Sequence, residues 1–394
     1  MKAVTWHGTG DVRVDEVPDP EIEQPTDAIV RITSTAICGS DLHLLDVMGP
    51  YIDEGDILGH EPMGIVEEVG SEVAAHLSPG DRVVVPFNIS CGSCWMCERQ
   101  RFGQCETTQN HEYGTGASLF GYTKLYGQVP GGQAEYLRVP MAHFGPIKVP
   151  EGPPDERFLF LSDVLPTAWQ AVEYADIPDG GSVTVFGLGP IGQISSRVAA
   201  HHGARVIAVD LVPERLEMAR RHGVEVLDLE EHDDVAESIR ELTDGRGTDS
   251  VIDAVGMEAH GNPTVEFTQR LVGMLPDRAA QAVMERAGVD RLQALQQSIE
   301  TVCRGGTISI IGVYGGTADP INMLQLFDKG VKLAMGQAHV RRWTGDLMPL
   351  VLDESDPLGV EDLCTHRLPL HQAPHGYEIF KEKEDGAIKI VLQP

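Results

Sequence analysis

Four of the seven cysteines fall in one short window, Cys91-Gly-Ser-Cys94-Trp-Met-Cys97-Glu-Arg-Gln-Arg-Phe-Gly-Gln-Cys105. The two short gaps let three thiolates converge on one point, and the longer loop brings back the fourth. That spacing predicts a closed, tetrahedral, all-sulfur zinc site. A redox Cys-x-x-Cys pair is the other chemistry that the window allows.

A second set of residues is dispersed. Cys38-Gly39-Ser40-Asp41-Leu42-His43 and Gly59-His60-Glu61 stand apart from the cluster. Thiolate and imidazole both bind zinc, and a catalytic zinc keeps three protein ligands and one open position. Read alone, Cys38 is equally a buried core thiol and His60 a satisfied surface imidazole.

A third motif, Gly187-Leu188-Gly189-Pro190-Ile191-Gly192, follows an apolar strand pattern and opens a helix pattern, with Asp210 ending the next strand. In that context it is a dinucleotide fingerprint. Gly187 makes the tight turn, Gly189 lets the backbone approach a pyrophosphate, and Gly192 lets helix and strand pack closely. The helix N-terminus would face the anion. Asp210 would accept the adenosine ribose hydroxyls and repel a 2′-phosphate, so NAD is expected over NADP. Arg215 is a cation that could rescue NADP, or a solvated face of the next helix.

These residues need a scaffold. The first 150 residues carry β-type runs punctuated by Gly and Pro, among them 28–35, 64–70 and 81–86, and predict a β-rich domain. From about Phe158 the texture changes. Strands at 182–186, 204–210, 249–255 and 306–312 alternate with helices at 191–201 and 213–222, which predicts a doubly wound parallel sheet. The stretch 257–304 is long for one crossover. It reads as helices at 265–275, 278–287 and 290–302, forming a surface insertion or, alternatively, a flap near the cofactor or a subunit contact.

A formal charge of −30 argues against nucleic acid, since phosphate binding needs Lys and Arg, and so against a DNA-binding zinc finger. Arginine far outnumbers lysine, which fits either salt adaptation or an ordinary acidic enzyme. The start of the chain has no apolar secretion segment, and no run approaches the roughly 18 apolar residues of a membrane helix. A soluble, cytoplasmic protein without membrane partners is expected.

Together the motifs resemble the zinc-dependent medium-chain alcohol dehydrogenases, over nearly the whole chain from Met1 to Pro394. The resemblance is carried by Gly59-His60-Glu61, the four-cysteine lobe and the dinucleotide fingerprint. It implies a GroES-like β-rich catalytic domain at 1–164 and a Rossmann NAD-binding domain at 165–335, with a helical insertion at about 257–304. A C-terminal segment, 336–394, would return to the catalytic domain, and the active site would lie in the cleft between domains. Two zinc ions per chain are implied. The structural one sits on Cys91, Cys94, Cys97 and Cys105. The catalytic one sits on Cys38, His60 and a third ligand in Leu161-Ser162-Asp163-Val164-Leu165-Pro166-Thr167. That ligand is Asp163, where liver-type members have cysteine, which is similar to the formaldehyde dehydrogenase and dismutase branch. Asp163 as a mere cap of the following helix is the other reading.

The resemblance extends to further positions. Ser40 matches the relay hydroxyl, and His43 matches the histidine that passes the proton to solvent by way of the cofactor ribose. Asp41 would orient a ligand imidazole, and Glu61 would approach the metal during ligand exchange or stand behind it. Phe87 would line the substrate pocket and Thr167 would pack on the nicotinamide. Gly39 stands where liver-type members place an arginine on the pyrophosphate. Lys389 would replace it, unless it is simply solvated. The implied activity is hydride transfer between NAD and a primary or secondary alcohol, or an aldehyde hydrate or adduct. A nicotinoprotein aldehyde dismutase that keeps its NAD, and a non-catalytic zinc-binding relative, are the alternatives. A homodimer or homotetramer is expected.

Overall fold

The computed structural model describes residues 1–256, 292–314 and 321–394. The expected helices at 265–275 and 278–287 lie outside the described residues. The chain forms two compact units, Met1–Pro166 with Ala338–Pro394, and Thr167–Gln337. Among the described residues no helix is long and apolar enough to cross a membrane.

The first unit is built on β-strands. β1 (Lys2–Gly8) and β2 (Asp11–Glu16) form a hairpin. A seven-stranded sheet contains β3 (Ala28–Ile37), β4 (Glu61–Val69), β5 (Arg82–Val84), β6 (Tyr136–Val139) and β7 (Ile147–Lys148). The C-terminal segment adds β14 (His366–Pro369) and β15 (Ile390–Gln393) to that sheet. Side chains of β3 and β4 such as Val30, Ile32 and Val66 point into one apolar core with Val83, Phe120 and Leu137. Ile37 joins a second core with Leu44, Leu58, Tyr377 and Ile390.

Register in this sheet brings distant sequence together. β3 pairs antiparallel with β4, Ala36 opposite Glu61. On its other side β3 pairs antiparallel with β15, Ile37 opposite Ile390 and Ala36 opposite Val391. The end of β3 therefore delivers Cys38 with His60 and Glu61 on one flank and Lys389 on the other.

The second unit is a six-stranded parallel sheet. It comprises β8 (Ser182–Phe186), β9 (Arg205–Asp210), β10 (Glu225–Asp228), β11 (Thr248–Asp253), β12 (Val302–Ile310) and β13 (Lys332–Met335). Their order is β10-β9-β8-β11-β12-β13, so the winding reverses beside β8, where doubly wound sheets bind ligands. Val183, Val185, Ile207, Val209, Val251 and Ile308 are fully buried, as strands covered on both faces require. Helices Pro190–His201 and Pro213–Arg221 each open with proline, whose missing N–H costs nothing in a first turn. One expectation is corrected here. Val302–Arg304 belong to β12, with Val302 paired to Thr248, and not to the insertion. The helix before them spans Gln293–Thr301.

Candidate functional site

Cys38 is the N-cap residue of the helix Gly39–Asp46. Its N–H donates to Asp41 Oδ2 at 2.9 Å, so Asp41 in the first turn pins the cysteine at the helix start. His60 precedes β4, and its ring reaches Asp41 Oδ1 through Nδ1 at 3.1 Å. Its other nitrogen, Nε2, lies 3.5 Å from Asp163 Oδ2. Asp163 Oδ2 is 3.7 Å from Cys38 Sγ. The backbone of the Asp163 segment is held by Phe87 N–H, which donates to Ser162 O at 3.1 Å.

These separations suit a metal. Tetrahedral ligands at zinc bond lengths lie about 3.3 to 3.8 Å from one another. Ligand atoms of Cys38, His60, Glu61 and Asp163 all lie within 4.8 Å of one another, and all four residues are buried. Burial pushes the Cys38 thiol up to about 11 and raises Glu61 above the usual carboxylate range. Although burial opposes it, His60 is raised well above its ordinary value by Asp41, Cys38 and Asp163. A buried pocket with this excess of acidic groups calls for a cation, and the donor set fits zinc.

The four-cysteine group is equally consistent. Cys91 and Cys97 sulfurs are 4.0 Å apart, Cys94 and Cys105 sulfurs 3.9 Å, close to the edge of a zinc–sulfur tetrahedron. All seven cysteines are free thiols. Burial pushes the Cys91 thiol up, but the Thr107 hydroxyl and the N–H groups of Ser93 and Cys94 outweigh it and bring the thiol down to about 6.

In the second unit Gly187 has φ +84°, which suits glycine in the turn between β8 and the helix. A Cβ on Gly192 would lie 1.7 Å from Gly187 O, so this helix packs directly on the turn. A Cβ on Gly189 would meet nothing nearer than Arg215 Nη1 at 4.0 Å. The space over Gly189, the N-cap of helix Pro190–His201, is open to a phosphate, and the loop fits a dinucleotide. Pro190 and Ile191 form the first turn. Asp210 Oδ2 accepts Leu188 N–H at 2.6 Å, and Oδ1 accepts the N–H groups of Leu211 and Val212. The carboxylate thus braces the glycine turn.

The match to known proteins decides what kind of site this is. Residues 24–151 match the alcohol dehydrogenase GroES-like domain, and residues 190–270 match the zinc-binding dehydrogenase family. The chain is 42% identical over 398 residues to the zinc-type alcohol dehydrogenase-like protein AdhB of Bacillus subtilis, covering 100% of both. The chain belongs to the zinc-dependent medium-chain alcohol dehydrogenases. It is also 32% identical over 419 residues to formaldehyde dismutase of Pseudomonas putida, covering 100% of this chain and 97% of that one. Alcohol dehydrogenase TADH from Thermus sp. ATN1 has the same architecture, with a TM-score of 0.80, 33% identity, and coverage of 100% and 99%. The protein is a zinc-dependent, alcohol dehydrogenase-type oxidoreductase.

Within this dehydrogenase the other expected residues fall as follows. Ser40 and His43 share the helix Gly39–Asp46, Ser40 half-buried and His43 buried. Phe87 stands edge-on to His60, ring centroids 6.3 Å apart. Thr167 belongs to the second unit, in helix Val164–Ala175. Two alternatives are corrected. Lys389 is not solvated; it is wholly buried with Nζ on Glu61 Oε1 at 2.5 Å, so its ammonium is already engaged by a carboxylate. Arg215 is not a solvated face; its side chain is 12% exposed and Nη1 lies 3.9 Å from Asp210 Oδ2.

Three contributors escaped sequence reasoning. Tyr122 stands edge-on to His60 at 6.3 Å, as Phe87 does. Gln133 and Tyr377 join the site through hydrogen bonds. None carries a local motif, because each is recruited by a crossing of chain segments far apart in sequence.

Proposed function

We propose that the chain oxidises a small primary or secondary alcohol, or an aldehyde hydrate or adduct, with NAD as the hydride acceptor, and runs in reverse as a carbonyl reductase. The observation that carries this reading is the convergence of Cys38, His60 and Asp163, with Asp163 Oδ2 3.7 Å from Cys38 Sγ and 3.5 Å from His60 Nε2, all buried. When bound there, zinc polarises a substrate oxygen, and the dinucleotide supplies the hydride-accepting ring.

The chain's own residues do the rest. Asp41 holds the Nδ1 side of His60, leaving Nε2 to the metal. Asp163 adds a carboxylate where a second thiolate would make the zinc softer. Phe87 and Tyr122 line the metal with aromatic surface, which suits a compact organic substrate. Ser40 accepts the substrate hydroxyl proton, and His43 on the same helix takes it onward toward solvent. Glu61, paired with Lys389, stands behind the metal. Cys91, Cys94, Cys97 and Cys105 hold a second zinc that braces their lobe.

NAD is preferred because the Asp210 carboxylate lies at the end of β9, where a 2′-phosphate would meet like charge. Arg215, beside it, is a feature in favour of NADP. A formaldehyde dismutase that retains its NAD is the second reading, supported by the 32% identity to the Pseudomonas putida enzyme of that name.

A homo-oligomer is also part of the reading. Among the described residues no strand pairs with the outer edge of β13. Leu333 and Met335 on β13 and Met323, Leu324 and Phe327 on the helix Met323–Lys329 that precedes it are exposed, Phe327 at 84%. An open apolar sheet edge favours pairing with a second copy.

The test is a panel of alcohols and aldehydes followed by NADH absorbance, with bound nucleotide assayed beforehand and NADP run in parallel. Turnover that needs added NAD supports the dehydrogenase. Aldehyde disproportionation without added NAD, by protein already holding it, supports the dismutase. No turnover by protein that holds two zincs would overturn both.

A further inference from the structure

The metal site has a buried polar connection that the reading above leaves unused. Tyr377, on helix Ala373–Glu382, donates its hydroxyl to Gln133 Oε1 at 2.8 Å, across 244 residues of sequence. Gln133 Nε2 lies 3.2 Å from Ala36 O and 3.2 Å from Asp41 Oδ2. Asp41 Oδ2 also takes the Cys38 N–H, and Asp41 Oδ1 faces His60 Nδ1. Gln133 and Asp41 are fully buried and Tyr377 nearly so.

Chemistry leaves Gln133 one orientation. Ala36 O and the Asp41 carboxylate can only accept, so the amide NH2 must face them and Oε1 must face Tyr377. The phenol is then a donor. Removing it would leave Oε1 a buried acceptor without this partner, free to turn the amide away from Asp41.

A second, independent observation ties Gln133 to the metal ligand. Gly59, which precedes His60, has φ +97°, and a Cβ there would lie 2.3 Å from Gln133 Cγ. Gln133 N–H donates to Leu58 O at 3.0 Å, and Gly132 N–H donates to Gly59 O at 2.7 Å. The segment carrying His60 is therefore laid directly against the glutamine. An Asp41 carboxylate held at Oδ2 by two N–H donors keeps Oδ1 3.1 Å from His60 Nδ1, an ion-pair contact outside hydrogen-bond alignment. An imidazole held at Nδ1 presents its Nε2 lone pair in a fixed direction.

We propose that Gln133 and Tyr377 are positioning residues for the zinc-binding imidazole: Tyr377 orients Gln133, Gln133 orients Asp41, and Asp41 holds His60 toward the metal. The proposal rests on reading Cys38, His60 and Asp163 as zinc ligands.

The experiment uses the full chain carrying zinc, and Tyr377→Phe, Gln133→Met and the double variant. Zinc release to excess 1,10-phenanthroline is followed with a chromogenic indicator, the four-cysteine zinc of the same molecule serving as internal standard. The cobalt-substituted protein gives the visible ligand-field spectrum. Gln133→Met should release the Cys38–His60–Asp163 zinc about tenfold or more faster, within the usual range for groups behind a metal ligand. Tyr377→Phe should do so by a smaller factor, with a shifted cobalt spectrum in both. The double variant should be no faster than Gln133→Met, since Tyr377 acts only through the glutamine. Release from the four cysteines should not change. Unchanged release and spectrum in folded Tyr377→Phe and Gln133→Met would overturn the proposal alone, and additive effects in the double variant would overturn its order of action. If Gln133→Met does not fold, Tyr377→Phe decides by itself. A wild-type protein that binds only the four-cysteine zinc would overturn the reading of the site and the proposal with it.

Discussion

Lys389 Nζ lies 2.5 Å from Glu61 Oε1, and neither side chain reaches solvent. The pair exists because β15 and β4 flank β3 at the same level, so a residue near the C-terminus meets the residue after His60. Burial works against both charges, and each partner's charge supports the other. Removing one partner leaves the other buried and uncompensated. Lys389→Met should cost about 3–5 kcal/mol in urea unfolding of the zinc-loaded protein. Adding Glu61→Gln to Lys389→Met should recover much of that loss. No recovery would mean that packing of the lysine stem, not its charge, is what matters.

The two metal groups should separate by mutation. Cys38→Ser should abolish turnover and lower zinc from two per chain to one, with an unchanged circular dichroism spectrum. Asp163→Ala should lower zinc in the same way. Full zinc content in Asp163→Ala would remove the aspartate from the ligand set. Cys94→Ser should instead lower the melting temperature, because its group closes a lobe and leaves the metal no open position.

His339 makes stability fall in acid. Its Nδ1 accepts Gly103 N–H at 3.1 Å, so a neutral ring tethers the four-cysteine lobe. Burial pushes it down to about 4. In the unfolded chain an imidazole titrates near pH 6.5. Below that pH the unfolded state binds a proton that the folded state refuses. This contribution is therefore complete above about pH 6.5 and is lost as pH falls toward 4, approaching about 3 kcal/mol over the window. Urea midpoints of wild type and His339→Gln should converge between about pH 7.5 and 5. A constant gap would rule out the histidine as the cause.

The β13 edge should mediate self-association. Leu333→Lys with Met335→Lys places two charges on the exposed edge strand, and light scattering should then report a lower mass than for wild type, with the fold intact. A wild-type protein that is monomeric at micromolar concentration would refute this role for β13.

Parts of this protein were legible because their chemistry is local. The four cysteines lie in one loop, so spacing alone predicts their convergence. The glycine fingerprint sits within a single strand–turn–helix unit, where Gly187 makes the positive-φ turn and Gly192 the close packing that their spacing implies. The limits expected for β8, β9, β11 and the helices Pro190–His201 and Pro213–Arg221 agree within two residues, because Val- and Ile-rich runs bounded by Gly and Pro admit little else; β10, β13 and the helix Val235–Leu242 carry weaker patterns and were not expected. Cys38, His60 and Asp163 were different. Their types permitted zinc, but only resemblance joined them before the fold was known.

The sequence by itself determined the class of the molecule: a metal lobe, a dinucleotide loop, a β-rich half and a doubly wound half. Each of these rests on short-range periodicity or spacing that the chain cannot disguise. Tertiary structure decided which charges face one another. Strand register set Lys389 on Glu61, and the approach of Gln133 to Gly59 linked Tyr377 to His60. A one-residue slip of β15 or β4 against β3 would turn the strand side chains to the opposite face of the sheet and part Lys389 from Glu61. No local pattern encodes that choice, because it is made by the packing of whole strands against the core.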